Sequence, residues 1–250
     1  MRREHQFATL AVHAGEPSCP VTGALDTPIY QSTTFVSADA NEMAAVYGEE
    51  KFGYMYTRYG NPTIHALEEK LAALERGEAA LATATGMAAI STAILGFIKA
   101  GDHVVAARSL YGAAYNFLNK KLPRMGASAT FVQSTCVDDF EKAIQPNTRL
   151  IYFETPSNPV LEILDIGALA RLGQSHGIPT MIDNTFASPA LQRPLPLGVS
   201  VVVHSASTSH RAVPREQRLA IGITDGLVRL SVGVEAAEDL IQDLDQALAF

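Results

Sequence analysis

The chain has 250 residues, 47% hydrophobic and 18% charged, enough to bury a sizeable core as one large domain. Its net charge of −7 offers no basic face for nucleic acid or an anionic membrane surface. No apolar run is long enough to span a bilayer, and the N-terminal MRREHQFATLAVHAGE lacks the apolar core of a signal peptide. Cys19 and Cys136 lie far apart and make no metal spacing. Free thiols in a reducing cytoplasm, with no metal, are the expectation.

Residues 1–60 show little periodicity beyond a short helical stretch in ADANEMAAVYGEE. They read as an N-terminal arm. Their Tyr, Phe and Arg content argues against disorder, because disordered segments are poor in aromatics. A helix is predicted from Asn61, a good N-cap followed by Pro62. Its apolar stripe is Ile64, Leu67, Leu71 and Leu74, and Gly77 ends it. A short strand is expected over residues 80–84, turning at Thr85-Gly86 into a helix that runs to Lys99. A glycine at such a turn lets a helix N-terminus present backbone N–H groups to an anion.

Strand–helix units follow. DHVVAARS leads through LYG to a helix, SATFVQS to VDDFEKAI, and TRLIYFETPSNP to DIGALARLGQSHG. Glu154, at a strand end, reads as a solvated or loop-pinning group with a structural role. Buried strands are expected at residues 179–182, before Asp183, and at 199–203, before His204 and Ser205. Repeated alternation of this kind predicts an α/β fold, a mostly parallel sheet with helices on both faces. Loops at the carboxyl ends of parallel strands hold ligands, so the loops of Asp183 and Ser205 are expected to face one site. A nicotinamide-binding domain would want G-x-G-x-x-G after its first strand, and a serine hydrolase G-x-S-x-G; neither occurs in place.

DNTFASP, LQRPL and VVVHSA (residues 183–206) resemble the pyridoxal-phosphate enzymes of cysteine and methionine metabolism. That family includes cystathionine gamma-synthase and gamma-lyase, methionine gamma-lyase and the O-acylhomoserine sulfhydrylases. TGMAAI, LYG, FETPSNP and GLVRLSVGVE extend the resemblance in order along the chain. It implies the fold-type-I transferase fold, with pyridoxal 5'-phosphate as cofactor. The activity implied is gamma-replacement or gamma-elimination on homoserine esters, cystathionine or methionine, in a cytoplasmic homo-oligomer, a dimer or tetramer joined through the N-terminal arm.

The resemblance also implies residue roles. Tyr56 and Arg58 match the Y-x-R that holds the cofactor phosphate across the dimer interface, where the arginine fork suits phosphate oxygens. Gly86 and Met87 match backbone phosphate binders. Tyr111 matches the ring-stacking and acid–base tyrosine. Asn158 matches the partner of the phenolic oxygen, and Asp183 the carboxylate on the pyridine nitrogen. Ser205 and Ser207 match phosphate-binding hydroxyls, and Arg229 the grip on the substrate carboxylate. Methionine gamma-lyases carry a Cys where this chain has Ala113, a tilt toward the sulfhydrylases and synthases.

Two departures matter. The family's H-S-A-T-K ends on the lysine that anchors the cofactor covalently and moves protons. Here the word is His204-Ser205-Ala206-Ser207-Thr208, and the last lysine of the chain is Lys142. The stretch between the lysine loop and GLVRLSVGVE is also missing, as though deleted between two similar short words. The domains implied are an arm (1–60), an incomplete cofactor-binding large domain (61–206) and a remnant of the C-terminal small domain (207–250). The activity is expected to be impaired. The alternatives are a non-catalytic cofactor-binding or dimerising fragment, and a truncated product whose lost strands expose sheet edges.

Overall fold

The computed structural model describes residues 5–204, 216, 219 and 235–249. The chain divides into two compact units, Met1–Val213 and Pro214–Phe250.

The first unit is built on five parallel strands: β1 (His103–Ala107), β2 (Ser128–Val132), β3 (Thr148–Glu154), β4 (Thr180–Asp183) and β5 (Val201–Val203). Their order is β2-β1-β3-β4-β5. All five residues of β1 and six of seven in β3 are buried. Consecutive burial means that both faces of the sheet are covered, as a parallel sheet requires. The chain runs from β1 outward to β2, then back across to β3. The direction of winding therefore reverses between β1 and β3, the kind of place where open α/β sheets bind ligands.

Eight helices precede or join the strands: α1 (Phe7–His13), α2 (Ala40–Tyr47), α3 (Pro62–Glu75), α4 (Gly86–Phe97), α5 (Gly112–Asn116), α6 (Val137–Lys142), α7 (Ile166–His176) and α8 (Ser188–Leu191). The second unit contains α9 (Ala237–Leu248). Among the described residues no helix is long and apolar enough to cross a membrane. The cap expected at Asn61 is present, and Thr85 and Asp165 cap α4 and α7. Asn61 accepts from the Thr63 N–H at 2.9 Å, Thr85 from Ala88 at 3.1 Å and Asp165 from Ala168 at 2.9 Å.

The structure differs from expectation at three points. The left-handed residue that ends α3 is Arg76 (φ 57°), not Gly77. Ile64 and Leu67 of the predicted stripe are 36% and 50% exposed, and burial concentrates at the far end, at Leu74 and Glu75. Residues 80–84 form no strand, and Leu81 is 77% exposed. A strand exists only with a hydrogen-bonded neighbour, and among the described residues none pairs with this run.

Gly173, on the sheet-facing side of α7, lets that helix approach closely. A Cβ there would lie 2.6 Å from both the Ile178 carbonyl oxygen and Thr180 Cγ2. Alanine improves helix propensity by about 0.5–1 kcal/mol, but overpacking against backbone costs about 1–3 kcal/mol. Gly173→Ala is therefore expected to destabilise the first unit, seen as a lower denaturation midpoint in urea.

Candidate cofactor site

The site candidates lie at the carboxyl end of the sheet. Glu154 closes β3 and Asp183 closes β4, and the two are register partners, so their side chains leave the same face. Both are buried, at 4% and 2% exposure. Asp183 Oδ1 accepts from the Thr185 N–H at 3.1 Å and from the Thr185 hydroxyl at 2.5 Å. Glu154 Oε2 accepts from the Tyr111 N–H at 2.6 Å, and the Asn158 N–H also donates to this carboxylate. Glu154 is thus a loop-pinning group, and the solvated alternative is excluded by its burial. That burial, with the charge of Asp183 beside it, pushes its carboxyl well above the usual carboxylate range; the two N–H donors pull more weakly the other way.

Tyr111 sits at the start of α5, on the loop that leaves β1, and Asn158 on the loop that leaves β3. These two loops flank the reversal in winding. A buried contact of 2.8 Å between the Ser109 and Ser157 hydroxyls joins them a second time. Tyr152, two residues before Glu154 on the same face, is fully buried, and its hydroxyl has no hydrogen-bond partner among the described residues. Burial, followed by the Asp183 and Glu154 charges, holds its phenol well above the ordinary tyrosine value.

α4 ends shortly before β1 begins, so it runs back along the sheet and its N-terminus belongs to the carboxyl-end side. Thr85 caps Ala88. The N–H groups of Gly86 and Met87 find no acceptor among the described residues, as the first turn of a helix leaves them. Tyr56 and Arg58 belong to the arm. They line a cleft of about 470 Å³ with Tyr30, Gln31, Ser32 and Thr33, and Tyr56 bridges to Thr34. Among the described residues no hydrogen bond or ion pair joins either of them to Tyr111, Asn158 or Asp183. Ser205, Ser207, Thr208 and Arg229 lie outside the described residues.

A polar hub beside the site was not foreseen. Glu75, 5% exposed at the end of α3, accepts through Oε1 from His204 Nε2 at 2.8 Å and Asn184 Nδ2 at 3.3 Å. Asn184 Nδ2 also donates to the Gln192 carbonyl at 2.9 Å. Gln192 Nε2 donates to the Thr155 carbonyl and to Asn184 Oδ1, both at 2.8 Å. The hub ties α3 to the loops after β3, β4 and β5. Its sequence signal was a charge four residues after Leu71, on the predicted apolar stripe.

Comparison with known proteins agrees with this geometry. L-methionine gamma-lyase of Treponema denticola is 43% identical over 203 residues, covering 80% of this chain and 50% of the relative. O-acetyl-L-homoserine sulfhydrylase of Leptospira meyeri is 42% identical over 205 residues, covering 82% and 46%. These identities do not separate the two activities, so the tilt taken from Ala113 finds no support in them. The crystal structure of cystathionine gamma-lyase from Lactobacillus plantarum, complexed with L-serine, superposes with a TM-score of 0.73 at 40% identity, over 80% of this chain and 50% of that one. The sheet is thus that of a fold-type-I pyridoxal-phosphate enzyme. The chain spans about half the length of the curated relatives it matches. The family described as Cys/Met metabolism PLP-dependent enzyme matches in two blocks, residues 8–208 and 206–249; the chain belongs to this family.

Proposed function

We propose that this chain keeps the pyridoxal-phosphate seat of a trans-sulfuration enzyme and does not turn over by itself. The observation that carries the reading is the buried Glu154–Asp183 pair with Tyr111 fixed beside it, at the point where the winding reverses. The unsatisfied N–H groups of Gly86 and Met87 suit a phosphate, and the buried carboxyl of Asp183 suits a protonated ring nitrogen. When bound, the cofactor supplies an electron sink for bonds broken near the amino-bearing carbon of a substrate.

In this reading Asp183 holds the ring nitrogen, Tyr111 covers the ring face, and Asn158 meets the phenolic oxygen. Gly86 and Met87, with Ser205 and Ser207, take the phosphate. Tyr56 and Arg58 complete that cup in a second copy of the chain. This assigns the arm to a homo-oligomer interface; the cleft that Tyr56 and Arg58 line is lined by arm residues. Arg229 takes the carboxylate of a gamma-substituted amino acid: a homoserine ester, cystathionine or methionine. The reading keeps the arm (1–60), an incomplete large domain (61–206) and a small-domain remnant (207–250), in a cytoplasmic protein of sulfur amino-acid metabolism. Thr208 can neither anchor the cofactor covalently nor act as a base near neutral pH, so gamma-elimination or replacement stalls.

Equilibrium dialysis against pyridoxal phosphate, followed by borohydride reduction and peptide mapping, tests both halves. Saturable binding with no pyridoxylated peptide from residues 180–210 is expected. Absence of saturable binding defeats the cofactor seat; a reduced adduct there, or gamma-elimination above the rate of free cofactor, defeats the inactivity.

A second reading, a dimerising fragment, is favoured by the arm's exposed apolar residues. Val21, Leu25, Ile29 and Val36 are 78–100% exposed. Sedimentation of the isolated chain decides it: a monomer at micromolar concentration removes this role.

A further inference from the structure

Resting on the cofactor reading above, we infer that Glu154 is a positioning residue: its buried carboxyl ties the backbones at Tyr111 and Asn158 to the end of β3, beside Asp183, and so sets ring-face and ring-edge groups in one frame. The geometry is specific. Oε2 accepts the Tyr111 N–H at 2.6 Å, and the Asn158 N–H donates to the same carboxylate. Register pairs Glu154 with Asp183. The Ser109–Ser157 hydroxyl contact closes the two loops on each other one or two residues away, and Glu154 links that closed pair to the end of β3.

The role needs an acceptor oxygen at the right reach, not a negative charge. The raised proton affinity of the carboxyl agrees, since the neutral acid still offers a carbonyl oxygen to both amides. A mere space-filling role would ask only for bulk. Three variants separate these needs. Glu154→Gln keeps reach and acceptor without charge. Glu154→Asp keeps the charge and withdraws the oxygens by one methylene, about 1.5 Å. Glu154→Ala removes both.

The first readout is amide hydrogen exchange at Tyr111 and Asn158 without added cofactor, with the α7 amides as internal reference. In Glu154→Ala and Glu154→Asp these two amides are expected to exchange at least about tenfold faster, and in Glu154→Gln within about threefold of the parent. If alanine does not fold, the Asp and Gln variants carry the test between them. Unchanged exchange in Glu154→Asp overturns the inference. Equal acceleration in Glu154→Gln overturns it as well, and so does a rise spread equally over α7.

The second readout is the dissociation constant for pyridoxal phosphate. It is expected to rise about tenfold or more in Glu154→Asp and about threefold or less in Glu154→Gln. The reverse ranking overturns the inference. A parent chain that binds no cofactor defeats the proposed function instead, while the exchange data still decide whether Glu154 holds the two loops.

Discussion

Replacing Asp183 by alanine is expected to weaken pyridoxal-phosphate binding by about a hundredfold to a thousandfold. Asp183 is 2% exposed, so its attraction for a protonated ring nitrogen is little screened by water. Breaking a buried pair of this kind costs about 3–5 kcal/mol, and each 1.4 kcal/mol is roughly tenfold in affinity. Asp183→Asn separates charge from shape. It still offers an oxygen to the Thr185 N–H and hydroxyl and is expected to fold as the parent does, yet to lose most of the affinity. Dialysis on both variants checks this; affinity kept in Asp183→Asn would show that the ring is held without its nitrogen being charged.

The largest effect on stability is expected at Phe140. The side chain is fully buried and is the one buried residue of α6. That helix has six residues, too few to persist in water by its own hydrogen bonds, so its attachment depends on this ring, with Val137 only partly buried against the core. Truncation of a buried phenylalanine costs about 3–5 kcal/mol, a large part of the roughly 5–15 kcal/mol that holds a domain together. Phe140→Ala should lower the urea midpoint well beyond Gly173→Ala. A loss below about 1 kcal/mol would mean that the region collapses to refill the space.

The strands β1, β3 and β4 were legible because parallel strands buried on both faces read as short unbroken apolar runs. The start of α3 was legible because a cap is chemistry local to two or three residues: Asn61 needed no knowledge of the rest of the chain. Helix α1, with no buried residue and no capping side chain, carried no such signal.

Residues 80–84 show the opposite case. The run has strand composition, but a strand also needs a neighbour, and that depends on sequence elsewhere. Gly77 drew the helix end by propensity, while the fold spends the left-handed turn one residue earlier, at Arg76.

Of the proposed site, Gly86, Met87, Tyr111, Asn158 and Asp183 were named from family resemblance, and all five fall on the carboxyl-end side of the sheet. Of the two buried acids that organise their surroundings, Glu75 was not found, and Glu154 was read as structural without its burial or its two amide partners. A lone glutamate in a sequence looks the same whether water or two backbone amides receive it, and only the register of β3 on β4 tells them apart.

The helix α3 has a mechanical consequence. At its beginning Asn61 Nδ2 donates to the Tyr30 carbonyl, and Thr63 Oγ1 accepts from the Tyr30 N–H and donates to the Pro28 carbonyl. At its end Glu75 grips His204 and Asn184. Fourteen residues at 1.5 Å each make a rod of roughly 21 Å. The separation between the clamp on the arm and the tips of β4 and β5 is therefore fixed by a rigid strut, not by the slack of a linker, and anything seated in the arm's cleft is held at a set span from those tips.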